Sequence, residues 1–170
     1  GKGKNAGALD AGFGLGGVAQ TDVFPGGTAE QGRDVVTLPD GKLLVVGESG
    51  GHGSDFLLAR YLADGTLDTS FGIGGVMMTD FFGGADSARS VALDAQGRMV
   101  VAGWALLDGH ADFAVARYLA NGTLDTTFSA DGRATVDFAG FDDRASSVAV
   151  DADGRIVLAG WTSGVQKFDM

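Results

Sequence analysis

Cysteine is absent from this sequence, and proline and histidine occur only twice each. Without cysteine there are no disulfides, no thiolate chemistry and no cysteine-ligated zinc or iron–sulfur centres. No run approaches the roughly 18 apolar residues that a membrane-spanning helix needs. Glutamate is nearly missing too: of 22 acidic residues only Glu30 and Glu48 are glutamate, and the rest are aspartate. What the chain does hold is glycine, 30 of its 170 residues. Glycine costs about 1 kcal/mol against alanine inside a helix, and aspartate prefers caps and turns, so long helices are excluded. The glycines keep no three-residue period and proline is scarce, which excludes collagen. Hydrophobic residues make up 45% of the chain, too many for a disordered segment. The formal net charge of -10 argues against binding to nucleic acid or to anionic lipid. Gly1-Lys-Gly-Lys4 is neither a signal-peptide pattern nor a methionine start, as in a chain that has been processed, trimmed or tagged.

An internal repeat decides the architecture. Asp55-Phe-Leu-Leu-Ala-Arg-Tyr-Leu-Ala-Asp-Gly-Thr-Leu-Asp-Thr-Ser-Phe71 returns 57 residues later as Asp112-Phe-Ala-Val-Ala-Arg-Tyr-Leu-Ala-Asn-Gly-Thr-Leu-Asp-Thr-Thr-Phe128. Ser90-Val-Ala-Leu-Asp-Ala-Gln-Gly-Arg-Met-Val-Val-Ala-Gly-Trp104 returns as Ser147-Val-Ala-Val-Asp-Ala-Asp-Gly-Arg-Ile-Val-Leu-Ala-Gly-Trp161, with a first copy at Asp34 to Gly47. Leu9 to Val18 is a partial copy of the stretch that ends at Val76.

Each period reads as four short strands, here Ser90 to Asp94, Arg98 to Trp104, Asp112 to Leu119 and Arg133 to Phe138. Glycine-bearing turns such as Ala95-Gln-Gly97 and Asn121-Gly122 separate them. Four antiparallel strands per period fit one blade of an all-β propeller. The pattern Asp-Phe-x-x-Ala-Arg-Tyr-x-x-x-Gly-x-Leu-Asp-x-x-Phe, followed by Val-Ala-x-Asp-x-x-Gly-Arg-Ile-Val-x-Ala-Gly, resembles the bacterial delta-60 repeat. That resemblance covers nearly all of the chain from about Leu9 and implies a propeller-like fold in large, often secreted proteins, with no established activity. Ser129-Ala-Asp131 departs from it where the preceding copy has Gly72-Ile-Gly74.

The expected organisation is one repeat domain over 1–170, with blades at about 33–82 and 89–138, an incomplete blade at 145–170 and a lone strand at 17–24. That is three blades' worth of strands, fewer than the four to eight of closed propellers. Either the chain is a segment of a longer propeller or copies associate, two of them making a six-bladed ring.

Several constellations invite chemistry. Gly12-Phe-Gly-Leu-Gly-Gly17 matches a dinucleotide fingerprint, but it lacks the required strand before and helix after, and reads as a turn. Gly47-Glu-Ser-Gly-Gly51 matches a nucleophile elbow around Ser49, yet another strand follows where a helix is needed. His52 and His110 occupy equivalent loops and read as solvated residues. Asp64, Asp68, Asp125, Asp151 and Asp153 place oxygen ligands at short spacings, so calcium is weighed against turn capping; one such turn supplies too few of the six to eight oxygens calcium takes. Trp104 and Trp161 end matched strands where the first copy has Glu48. They read as inter-blade packing or as a stacking platform for a sugar. Arg60 and Arg117, each before a tyrosine, suggest a structural bond to an aspartate of the neighbouring blade.

The function expected is a non-catalytic propeller module that binds a glycan or protein ligand, with Trp104, Trp161 and Glu48 on its surface, in an extracellular or cell-surface setting. An enzyme with its site at the channel mouth is the alternative, and a structural spacer the third reading. No cofactor is expected, calcium apart.

Overall fold

The computed structural model describes residues 7–23, 29–50, 54–138 and 140–164. Among these residues ten strands form three antiparallel sheets in chain order. The first sheet is β1 (Gln31–Thr37), β2 (Leu43–Glu48), β3 (Phe56–Tyr61) and β4 (Val76–Thr79), each hydrogen-bonded to the next. The second repeats it with β5 (Asp86–Leu93), β6 (Met99–Leu107), β7 (His110–Tyr118) and β8 (Arg133–Val136). The third holds β9 (Asp143–Val150) and β10 (Ile156–Thr162). First strands pack on one another, β1 on β5 and β5 on β9. The short fourth strands lie on the far side of each sheet, paired only with β3 and β7. Meandering four-stranded sheets stacked face to face in this way are blades of a β-propeller, the all-β class read from the repeat.

The core lies between the sheets. Leu44, Val46, Phe56 and Leu58 of the first sheet pack with Val91, Met99, Val101 and Tyr118 of the second. Val100, Ala102, Phe113 and Val115 of the second pack with Ala145 and Val148 of the third. Successive side chains of a strand point to opposite faces, so Val100 and Val101 belong to different cores. This is why β6 is a nearly unbroken apolar run: both of its faces are covered.

Each first strand carries a bulge, at Gly32/Asp34, Ala88/Ser90 and opposite Ala159/Gly160. The bulge lets β5 start at Asp86, earlier than the Ser90 expected from β-branched residues. It also explains a glycine in every blade. A Cβ on Gly47, Gly103 or Gly160 would stand 1.8, 1.9 or 2.1 Å from the carbonyl oxygen of Gln31, Ser87 or Arg144 across the bulge.

Residues 17–23 form no strand; Val18 makes only a bridge to Leu15. A fourth-type strand needs a third strand beside it, and among the described residues none lies there. The segment nevertheless keeps one contact of its repeat position: Tyr61 donates its hydroxyl to Thr21 Oγ1 at 2.8 Å, as Tyr118 does to Thr79 Oγ1 at 2.8 Å. Phe24, His52 and the third strand expected near Lys167 lie outside the described residues.

Candidate functional site

Three repeated constellations occupy the blade junctions. The first is a clamp in the segment between third and fourth strands. Arg60 Nε donates to Asp68 Oδ2 at 2.8 Å, and the guanidinium lies 4.6 Å from the centre of the Phe71 ring. Arg117, Asp125 and Phe128 repeat this at 2.8 and 5.0 Å. Asp68 Oδ1 accepts from the Ser70 hydroxyl and amide, and Lys42 Nζ stands 3.0 Å from Oδ2. Chiefly the Ser70 hydroxyl, then Lys42 and Arg60, hold the Asp68 carboxyl well below its usual range. The aspartate partner of each arginine thus comes from its own blade. The neighbouring blade contributes a carbonyl: Arg60 Nη1 donates to Ala120 O at 2.5 Å.

That neighbour's turn closes the clamp. Gly122, at φ +93°, sits so close to the Phe71 ring that a Cβ would approach it to 2.8 Å. The Gly72 amide donates to Asn121 O at 3.0 Å, and Phe13, Gly14 and Gly65 repeat the arrangement one blade earlier.

The second constellation is the row Glu48, Trp104 and Trp161. Glu48 pairs with Arg33 of its own sheet and stands 3.9 Å from Arg89 of the next. Arg144, opposite Trp161 in the ladder, lies 4.3 Å from the centre of the Trp104 ring and 5.7 Å from that of Trp161. An arginine on an indole face is an attractive cation–π contact. Trp104 is therefore an inter-blade wedge sheathed by the following blade, while Trp161 is half exposed.

The third constellation was not singled out from the sequence. Asp55, Asp80 and Asp86 each bring a carboxylate oxygen within 4.8 Å of the others, and Asp112, Asp137 and Asp143 do the same. Asp55 precedes β3, Asp80 follows β4 and Asp86 opens β5, so the trio joins one blade to the next. Backbone amides shape the loop: Phe81 N–H donates to Asp86 Oδ2 at 2.8 Å and Gly83 N–H to Asp80 Oδ1 at 2.6 Å. Phe138 and Gly140 repeat this on Asp143 and Asp137 at 2.7 Å each. Asp86 and Asp143 are fully buried, and the Oδ1 of each lacks a hydrogen-bond partner. Burial first, then the charges of Asp80 and Asp55, pushes the Asp86 carboxyl up to about 6. Burial and Asp80 likewise raise Asp55; burial, Asp137 and Asp143 raise Asp112.

The aspartates weighed for calcium lie elsewhere. Asp64 Oδ1 accepts from the Thr66 amide and hydroxyl, Asp125 from those of Thr127, and Asp151 from the amides of Asp153 and Arg155. Asp68 and Asp125 also bind their arginines, and Asp153 faces Arg155 at 3.0 Å. Ser49 is buried and its Oγ accepts the Asp55 amide; His110 is exposed at the start of β7. The signal that would have found the two trios is the repeat offset itself, since Asp55/Asp112, Asp80/Asp137 and Asp86/Asp143 are all 57 residues apart.

The chain is thus a β-propeller repeat protein. It is similar to a family described as a domain of unknown function (DUF5122) beta-propeller, matched over residues 38–71 and 96–128. The two matched stretches are the same part of successive blades, from the first hairpin turn through the Arg–Asp–Phe clamp. No curated protein matches the chain.

Proposed function

We propose that the chain is a non-catalytic propeller module of the delta-60 type that acts by binding, and that it binds through the open sheet faces at the two ends of its row of blades. The setting that this repeat type implies is extracellular or on the cell surface. One comparison supports the reading. Val91 and Val148, which face the preceding blade, are 8% and 7% exposed, while the matched Val35 is 57% exposed. Val100, which faces the following blade, is 1% exposed, while the matched Val157 is 56% exposed. A groove lined by Phe13, Ala19, Val35, Leu43, Val45 and Tyr61 runs along the first of these faces.

The two faces are the two halves of the junction formed twice within the chain, so each is the partner the other lacks. The occupant is another blade of the same repeat; for the 170-residue chain by itself that blade belongs to a second copy, whose first blade docks on the third blade of its mate. Two such docks, related by a twofold axis, close a six-bladed ring. Light scattering and sedimentation velocity test this: a dimer is expected, reduced to monomer by Val35→Arg or Val157→Arg with the β circular-dichroism signal kept. A monomer mass for folded protein up to high concentration refutes it.

A further inference from the structure

We infer that each blade junction carries a divalent-cation site, built for calcium from Asp55, Asp80 and Asp86 at one junction and from Asp112, Asp137 and Asp143 at the next. Three carboxylates converge within 4.8 Å at each place, and among the described residues no lysine or arginine forms an ion pair with any of the six. Arg133 Nη1 donates to the Asp80 carbonyl, not to its carboxylate. Converging carboxylates repel one another and are costly to bury unless a cation or a proton offsets them.

The independent observation is the orphaned acceptor. Asp86 and Asp143 are the first residues of β5 and β9, fully buried, with Oδ2 accepting from an amide and Oδ1 without a hydrogen-bond partner; the Leu106 amide that faces Asp86 donates to the Ala85 carbonyl at 2.9 Å. A buried carboxylate oxygen left without a donor is rare in proteins and calls for an explanation, an ion among them. Here the same orphan recurs at the same repeat position, beside the same two carboxylates. A bound ion supplies what the protein withholds at both.

The donor set selects the cation. All the ligands are hard oxygens, with no thiolate and no imidazole among the three, which suits calcium or magnesium better than zinc. Calcium takes six to eight oxygens at irregular geometry, so three carboxylates completed by carbonyls and water suit it. Magnesium demands a near-ideal octahedron and holds its own waters. Each trio draws two ligands from one blade and one from the next, so the ion ties consecutive blades together. Extracellular calcium modules work at about 10⁻⁴–10⁻³ M, which is the affinity range expected.

Isothermal titration and equilibrium dialysis of the full chain with CaCl₂ test the assignment. Two ions per chain are expected, with a rise in melting temperature that EGTA reverses and that equal MgCl₂ does not reproduce. Asp86→Asn and Asp143→Asn should each remove one ion, and Asp64→Asn none. Should either buried variant fail to fold, the exposed Asp80→Asn and Asp137→Asn serve in its place. No uptake by folded protein at millimolar calcium, uptake untouched in Asp80→Asn/Asp137→Asn, or equal binding of magnesium overturns the inference. Uptake is read directly as bound ion, so it stands or falls separately from dimer formation.

Discussion

Replacing one phenylalanine in each copy of the clamp separates what a blade contributes from what its neighbour contributes. Phe71 is fully buried between the Arg60 guanidinium and the Gly122 turn of the following blade. Phe128 has the matching Arg117 at 5.0 Å but is only half-buried, because no such turn lies over it among the described residues. Truncating a buried phenylalanine to alanine costs about 3–5 kcal/mol, part of it from the cavity left behind. The half-covered ring leaves little cavity, and the loss there is about 1–2 kcal/mol. For a chain of this size about 1 kcal/mol moves the melting temperature by roughly 2–4 °C. Phe71→Ala should therefore lower it by about 6–20 °C and Phe128→Ala by about 2–8 °C. Circular dichroism on heating gives the two shifts. Repeat arrays can melt in stages, so hydrogen exchange at β3 and β7 amides should show which junction opens first. Equal shifts, or a larger one for Phe128→Ala, would mean that the next blade's turn adds nothing and that the clamp is internal to each blade.

The bulge glycine gives a second contrast. Gly103→Ala drives a Cβ to 1.9 Å from the Ser87 carbonyl and should cost more than about 3 kcal/mol, whereas Gly97→Ala meets open space at φ +74° and should cost only about 1–2 kcal/mol for its left-handed backbone. Urea midpoints of the two variants measure this, and comparable midpoints would discount the close approach. Acid should weaken the fold through Asp68 and Asp125, whose carboxyls are lowered first by the Ser70 and Thr127 hydroxyls and then by their cationic partners. A folded-state pKa below the unfolded one gives stability that is whole above about pH 4 and drains away as pH falls further. Melting temperatures between about pH 3 and 5 should show a shallower decline in Asp68→Asn than in the wild type; identical slopes would remove Asp68 from the account.

Much of this architecture was legible because a propeller writes each blade in nearly the same letters. Apolar runs such as Met99 to Ala105 and the Asn121-Gly122 turn gave away strand and hairpin together. The beginning of β5 was not legible, because Asp86-Ser-Ala-Arg89 holds no β-branched residue and pairs only by virtue of the bulge opposite Gly103. The turn aspartates attracted attention since their neighbours lie two residues away in sequence, which is also why their oxygens are already taken by local amides. Asp55, Asp80 and Asp86 are up to 31 residues apart, and only the fold makes them neighbours. The arginines misled in a similar way: Arg60 does reach into the next blade, but to a backbone oxygen that side-chain patterns do not display.

Among the described residues the bulge, the clamp and the valine faces give a blade a plug on one side and a socket on the other. Nothing in a single plug or socket counts blades. The number in a closed ring is then an angular quantity, fixed by how far one junction rotates a blade relative to the last. Small changes in wedge residues such as Trp104, whose ring on β6 lies against Arg144 of β9, would alter that number without changing the strand order.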